Sequence, residues 1–464
     1  MESFKIFGPP GTGKTTFLLS LLEKEFKTVS PDKCAFVSFT KKGTYEGVQR
    51  AIDKFDLHQK ELKYFKTIHA LCFAEVGAKR YDMLQRFHYK QFGEAMGMRF
   101  LGYYTEDLVS NNDQYLFAEQ LERNNETVAK EFTRDLNTKK LDWVKLNYRQ
   151  FKKQLGVIDF TDLLVKYLEE SKPLDVKVAF IDEAQDLTTL QWNVAEKMFQ
   201  NVERLYIAGD DDQAIYEWSG ADIKRFLDFK GKTHVLSKSY RLPSSIHTYA
   251  AAVSQGIQKR QEKKFTDNGT EGQVRVTTSW KDIDINPEES TLILSRNNCF
   301  LSDSKKELQD RGALFTHKGK HSVETRTFTA IKKYTDYSRG TAERKDVMLY
   351  SSYFKTLDEP EKPWYLTLNK DAEEVNYYRN LIANKTDLEK TTIDLETIHS
   401  AKGSESDHVI LMLDVTNRVF RNLQNSPDSE LRCLYVGVTR AKKRLTLKLS
   451  NARYSFPHFA KQLN

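Results

Sequence analysis

Apolar residues in this chain gather into short unbroken runs that stop at glycine, proline or acidic clusters. Ser3–Phe7 (SFKIF), Cys34–Val37 (CAFV), Val178–Ile181 (VAFI), Leu205–Ala208 (LYIA) and the centre of Ser290–Arg296 (STLILSR) are of this kind. Runs this short, bounded by turn signals, predict buried strands. Phe17–Lys24 (FLLSLLEK) reads as helix, and residues 77–150 are rich in helix formers with basic-aromatic mixtures such as Phe87-His-Tyr-Lys. No apolar run approaches the roughly 20 residues that span a bilayer, so no membrane segment is expected.

The first strand runs into Gly8-Pro-Pro-Gly-Thr-Gly-Lys-Thr-Thr16, which fits G-x-x-x-x-G-K-[ST] in full. A strand before the loop and a helix after it are the context that a phosphate-binding loop requires. Gly8, Gly11 and Gly13 let backbone N–H groups converge on phosphate oxygens, and the helix dipole favours the anion there. Pro9, Pro10, Thr12 and Thr16 complete the predicted nucleotide cradle. Lys14 is placed to reach the β- and γ-phosphates, and Thr15 to offer a hydroxyl to Mg²⁺.

A P-loop enzyme also needs an acidic site at the end of another core strand. Asp182-Glu-Ala-Gln-Asp186 follows Val178–Ile181 directly. Asp182 is expected to hold Mg²⁺ and Glu183 to polarise the attacking water. The run Leu205–Ala208 ends in Gly209-Asp-Asp-Asp-Gln213, where Gln213 is expected to sense the γ-phosphate. Tyr216 and Trp218 follow at once, and two large aromatics in such a loop suggest stacked bases. Core packing is the competing account of Trp218.

Six motifs stand in order: the P-loop, DEAQD, GDDDQAIYEWSGA, Ser239-Tyr-Arg241, Ile398-His-Ser-Ala-Lys-Gly403 and LYVGVTRAKKRLTL at Leu434–Leu447. Together they resemble the motif series of UvrD/Rep-type superfamily 1 helicases, from Gly8 to Leu447. The resemblance implies an α/β fold of two RecA-like P-loop NTPase cores, parallel sheets flanked by helices, each with an inserted, mainly helical subdomain. It implies an ATP- and Mg²⁺-dependent translocase and helicase on single-stranded DNA, with 3′→5′ polarity carried by the resemblance alone. By the same resemblance Thr40 and Lys41 (in SFTKK), Thr67 and His69 (TIH), Tyr216 and Trp218, and Thr397, His399 and Lys402 are expected to contact DNA. Gly403 and Glu405 are expected at the nucleotide side of that last motif. Tyr240 is the expected adenine stack, and Arg241 and Arg440 the arginines that reach the γ-phosphate.

The implied organisation is a first core at 1–76 and 151–229, a helical insertion at 77–150, a second core at 230–317 and 395–464, and a short second insertion at 318–394. Ile158-Asp-Phe-Thr-Asp-Leu-Leu looks like the family's LDFxxLL return to the first core. The second insertion is shorter than the family's second accessory domain, so weaker hold on duplex and low processivity are expected. No glutamine segment precedes the P-loop here, so base selectivity is expected to rest on Tyr240. Ser219 stands where the family's aromatic motif has arginine, and Gly403-Ser-Glu-Ser replaces GLEF. No appended nuclease domain is expected after the last motif.

Composition adds little. Net charge is +7 over 464 residues, with Lys and Arg spread along the chain, which is compatible with a nucleic-acid partner but weakly so. Cys34, Cys72, Cys299 and Cys433 stand far apart with no C-x-x-C, as buried thiols in a reducing compartment would. A cytoplasmic monomer is expected, acting on single strands and single/double-strand junctions with a loading or replication/repair protein as partner. Three alternatives stay open: a motor that strips proteins from DNA without unwinding, a regulatory P-loop ATPase bound to a protein partner, and an RNA-directed motor.

Overall fold

A computed structural model describes residues 1–38, 41–102, 104, 112–449 and 452–457, without the side chains of 41–44, 46 and 131. The chain divides into two compact units. One comprises Met1–His247, Ala251–Thr270 and Asn425–Tyr435; the other comprises Thr248–Ala250, Glu271–Gln424 and Val436–Asn464.

The first unit is built on six strands: β1 (Glu2–Phe7), β2 (Cys34–Ser38), β3 (Tyr64–Lys66), β4 (Val178–Asp182), β5 (Arg204–Gly209) and β6 (Lys232–Val235). Their order is β3-β2-β4-β5-β1-β6, and every pairing is parallel. Successive side chains of a strand point to opposite faces, and the core follows that rule. Ile6, Phe36, Val178, Phe180, Tyr206 and Ala208 pack on one face with Leu18, Leu19 and Leu22 of the helix Lys14–Glu25. Phe7, Ala35, Val37, Ala179, Ile181 and Ile207 pack on the other, against Leu163, Leu164 and Trp192. Burial on both faces explains why these strands read as unbroken apolar runs. Register pairs Phe7 with Gly209 and Ser38 with Asp182, so the loops after β1, β2, β4 and β5 leave one edge of the sheet. Open α/β sheets bind ligands at that edge.

The stretch 77–150 carries the helices Arg86–Met96, Asp113–Asn124 and Glu126–Phe132, and a longer one, Thr138–Leu155, that outruns the expected boundary. They enclose a small core of Phe92, Phe100, Tyr115, Leu116, Leu141, Val144 and Tyr148. Arg123 fastens this bundle to the helix Phe160–Glu170 through Asp159 at 2.8 Å and Asp162 at 2.6 Å. Lys152 meets the same two carboxylates at 2.6 Å each. Burial alone would raise the Asp159 pKa, but Arg123 and Lys152 hold it below the usual carboxylate range.

The expected boundary at residue 229 needs correcting. Lys232–Val235 pairs with Phe4–Phe7, and the Leu236 N–H donates to the Phe7 carbonyl at 2.9 Å. Without β6, β1 would be an unpaired sheet edge. The unit also takes in residues 251–270 and 425–435, which sequence order assigned to the second core.

The second unit carries β7 (Gln273–Thr277), β8 (Thr291–Ser295), β9 (Thr316–His317), β10 (Lys320–His321), β11 (Ile393–Thr397), β12 (Ser406–Met412) and β13 (Ala441–Lys448). Their order is β10-β9-β11-β8-β12-β13-β7, parallel except for the β9–β10 hairpin. Ile293, Leu395, Ile410 and Met412 pack against Leu301, Leu308, Tyr377 and Leu381. Tyr377 and Leu381 lie on the helix Ala372–Ala383, so the end of the expected second insertion serves the sheet itself. The rest of that insertion packs around Tyr334, Val347, Phe354, Leu368 and Tyr378. Among the described residues no helix is long and apolar enough to cross a membrane.

Candidate nucleotide-hydrolysis site

The loop after β1 turns on two glycines with φ of 72°, Gly11 and Gly13, a conformation that L side chains rarely adopt. At Gly11 a Cβ would stand 2.3 Å from Arg241 Cβ, so only glycine lets the two segments touch. The Gly8 N–H donates to the Gly209 carbonyl at 2.9 Å, and Thr12 donates from N and Oγ1 to the Pro9 carbonyl at 3.2 and 2.8 Å. Gly13 leads into the helix Lys14–Glu25, whose cap has no side-chain hydrogen bond. Thr16, on its first turn, is exposed.

Lys14 Nζ lies 2.6 Å from Glu183 Oε1 and 3.5 Å from Asp182 Oδ1. Burial works to lower the Lys14 pKa, but the two carboxylates overcome it and keep the ammonium charged. Asp182, almost fully buried, has its pKa raised by that burial, with Lys14 pulling the other way. Thr15 Oγ1 donates to Asp182 Oδ2 at 2.8 Å. A hydroxyl and a carboxylate side by side are hard oxygen ligands, of the kind Mg²⁺ takes along with water and phosphate. The pair therefore fits the metal.

Glu183 has φ of 57°, unusual for a residue with a side chain. Its Oε2 accepts from Gln185 Nε2 at 2.6 Å, while Gln185 Oε1 accepts from the Asp210 N–H at 3.0 Å. Gln185 thus links the turn after β4 to the turn after β5. Gln213 Nε2 donates to Asp210 Oδ2 at 2.7 Å. Ser239 Oγ donates to the Pro10 carbonyl at 2.8 Å, and the Tyr240 N–H to the Gly11 carbonyl at 2.8 Å. The Tyr240 ring is 72% exposed, with Cε2 4.0 Å from where a Gly13 Cβ would lie. An exposed aromatic side chain therefore stands beside the phosphate loop, with Lys238 Nζ 5.8 Å from its ring centroid.

The residues expected to contact DNA are served unevenly. Thr40 lies outside the described residues; Lys41 opens the helix Lys41–Phe55, and its side chain is outside them too. Thr67 caps the helix Ile68–Glu75, accepting from the Ala70 N–H at 3.2 Å. His69 meets Phe160 edge-on at 5.8 Å, and Phe160 is 61% exposed. Tyr216 caps a short 3₁₀ turn, Glu217–Ser219, and Trp218 is its middle residue. Trp218 is half-buried, 5.8 Å from Phe117 and 6.4 Å from Tyr104 of the helical insertion. Asn125 Nδ2 donates to the Gly220 carbonyl at 3.2 Å, holding this loop to the same insertion. The packing account of Trp218 thus has a physical basis beside the stacking one.

In the second unit Thr397 ends β11, and its Oγ1 accepts from the Ser400 N–H at 3.3 Å. His399 and Lys402 follow, half-buried, in the turn that leads to Gly403 (φ 84°) and the exposed Glu405. Arg440 is buried, and its guanidinium donates to the carbonyls of Val436 at 2.9 Å and Ser404 at 3.3 Å. Arg440 is therefore built into the loop of Gly403 and Glu405.

Residues 2–234 match the family described as UvrD/REP helicase N-terminal domain, and residues 392–447 match the UvrD-like helicase C-terminal domain. The chain belongs to the UvrD/Rep helicase family. DNA helicase II of Haemophilus influenzae is 30% identical over 159 residues, covering 31% of this chain and 22% of that protein. DNA helicase II of Escherichia coli is 32% identical over 140 residues, 27% of this chain and 19% of the relative. A probable DNA helicase II homolog of Mycoplasma pneumoniae is 25% identical over 299 residues, 57% of this chain and 41% of the relative. The chain thus matches well under two-thirds of these relatives' own length.

Against the UvrD/Rep motifs, the sequence reading gave no role to Gln185, Asp210 or the exposed Phe160. Gln185 lay inside the quoted DEAQD, and a buried amide between two turns is a signal only once both turns are located. Phe160 lay inside the quoted Ile158–Leu164 segment, and its exposure cannot be read from sequence.

Burial holds the His69 pKa down to about 4, against 6.5 for the free side chain. The imidazole is therefore neutral near pH 7 in the free protein. The folded state binds its proton less readily than the unfolded state. His69 thus adds stability that is full above pH 6.5 and is lost as pH falls toward 4. Thermal melts of the parent should decline over that window, and His69→Asn should flatten the decline. An equally steep decline in the variant would show that other groups cause it.

Proposed function

We propose that this chain is an ATP- and Mg²⁺-dependent motor that moves along single-stranded DNA and separates strands, with 3′→5′ polarity. The observation that carries the reading is the Lys14–Glu183 pair beside Thr15–Asp182, with Glu183 Oε2 fixed by Gln185. A triphosphate in the loop competes with Glu183 for the Lys14 ammonium. Released from Lys14, Oε1 of Glu183 can take a proton from the attacking water, while Gln185 keeps the carboxylate from swinging. Thr15 and Asp182 would hold Mg²⁺, which supplies charge neutralisation on the phosphates. Gln213, Arg241 and Arg440 are assigned to the γ-phosphate, and Tyr240 to stacking on the base.

Bases are assigned to Tyr216, Trp218, His69 and the exposed Phe160, the DNA backbone to Thr40, Lys41 and Thr67, and further DNA contacts to Thr397, His399 and Lys402 on the second unit. Steady-state ATPase with and without single-stranded DNA, RNA and duplex tests the reading. Strong stimulation by single-stranded DNA is expected, and none by any nucleic acid would point to a regulatory ATPase. Partly duplex substrates with a 3′ or a 5′ tail test polarity, since unwinding only from the 5′ tail would reverse the assignment.

Trp218→Ala should weaken single-stranded DNA binding by about 1–3 kcal/mol, the scale of one stacked base. Equilibrium titration and a thermal melt read together decide it. A large drop in melting temperature with unchanged DNA affinity would assign the ring to the contact with Phe117 and Tyr104 alone.

A further inference from the structure

Asp210, Asp211 and Asp212 follow β5 directly, and none of the three is exposed. Adjacent carboxylates shut away from water cannot all stay ionised unless cations reach them. The cations come from a distant stretch of the chain. Lys263, its side chain fully buried, lies 2.9 Å from Asp210 Oδ1, 2.5 Å from Asp211 Oδ1 and 2.9 Å from Asp212 Oδ2. Arg260 grips both Asp212 oxygens at 2.7 and 2.6 Å. Burial would lower the Lys263 pKa, but the three carboxylates hold it above the ordinary lysine value.

The lysine does more than balance charge. Asp210 presents Oδ1 to Lys263 and uses Oδ2 to accept from Gln213 Nε2 at 2.7 Å. One carboxylate therefore joins a buried lysine to the glutamine assigned to the γ-phosphate. The Asp210 N–H, through Gln185, reaches Glu183 as well.

We propose that Lys263 is a positioning residue for ATP hydrolysis, fixing the Asp210 carboxylate so that Asp210 aims the Gln213 amide. The inference rests on the assignment of Gln213 to the γ-phosphate. Without the lysine, Asp210 exchanges an ion pair at 2.9 Å for the Asp212 N–H alone at 3.3 Å on Oδ1 and is free to turn, and Gln213 loses a fixed anchor. Lys263 has no part in holding ATP, so its effect should fall on kcat and leave KM for ATP nearly unchanged.

The test is a double-mutant cycle in the full chain, read as ATPase at saturating single-stranded DNA, with a thermal melt of each variant. Lys263→Met is paired with Asp211→Asn, which removes one charge of each sign and leaves Asp210 Oδ1 to the longer bond from the Asp212 N–H at 3.3 Å. The pair should lower kcat by about 10²-fold, the scale of a small misplacement in a catalytic site. Gln213→Ala should do the same, and combining all three changes should lower kcat little further, because one pathway is broken twice. Normal kcat for the Lys263 pair beside a slow Gln213→Ala overturns the inference and leaves the Gln213 assignment standing. Fully multiplicative losses overturn it too. Normal turnover by Gln213→Ala overturns the assignment and the inference together. If the Lys263 pair does not fold, Asp210→Asn breaks the same chain at its next link with little change of shape. Its kcat, alone and with Gln213→Ala, is then read by the same criteria.

Discussion

Lys14→Ala and Glu183→Gln are each expected to end ATP turnover, and for different reasons. Lys14→Ala removes the cation that meets the triphosphate, so both ATP affinity and turnover fall, turnover by about 10³-fold or more. It also leaves Asp182 and Glu183 facing each other without a cation, in a site where burial already raises the Asp182 pKa. Glu183→Gln keeps the shape of the side chain and an acceptor for Gln185, but cannot take a proton from water. Loss of a general base lowers the rate by about 10²–10⁴-fold, while ATP affinity should hold or improve because Lys14 no longer has a carboxylate partner at 2.6 Å. A fluorescent nucleotide titration beside steady-state ATPase separates the two. Glu183→Gln turning over at the parent rate would remove Glu183 from the chemistry.

The reach of sequence reasoning differed between strand ends and side-chain networks. Ser3–Phe7 and Val178–Ile181 fall within β1 and β4, because strands buried on both faces must be apolar throughout and the phosphate loop needs a fixed strand–turn–helix order. Thr15, Asp182 and Lys14 come together as the motifs imply. The acidic clamp was not legible. Arg260 and Lys263 belong to none of the six motifs, and their partners stand 48 and 52 residues earlier in the chain. Arg432, buried between the Asp211 carbonyl at 2.9 Å and Glu217 at 3.2 Å, is more distant still and stands just before the last motif. Only a fold that returns residues 251–270 and 425–435 to the first unit brings these charges together. Trp218 posed the same difficulty, since Tyr104 and Phe117, which make it partly a packing residue, belong to the inserted bundle.

Arg241→Ala and Arg440→Ala should separate two arginines that the motif series treats alike. Arginines that stabilise a transferring phosphoryl group are worth about 10³–10⁵ in rate, and each variant is expected to lose turnover on that scale with DNA affinity nearly intact. Their side chains are held differently. Arg241 touches the phosphate loop through its Cβ, close against Gly11, and alanine keeps that carbon. Arg440 is buried, and its guanidinium satisfies the carbonyls of Val436 and Ser404 as well as Thr439 Oγ1 at 3.1 Å. Alanine takes the guanidinium from the Ser404 carbonyl and leaves the Val436 carbonyl to Thr439 Oγ1 at 3.1 Å; an acceptor left unsatisfied costs about 1–3 kcal/mol, and the loop of Gly403 and Glu405 loosens with it. Arg440→Ala should therefore melt several degrees lower, and Arg440→Lys should recover little of either property because an ammonium cannot reproduce the fixed fork. ATPase, DNA titration and thermal melts of the three variants decide the matter. DNA affinity lost with turnover preserved would move both arginines from the phosphate to the nucleic acid, and an Arg440→Ala that melts with the parent would show that its buried hydrogen bonds do not hold the loop.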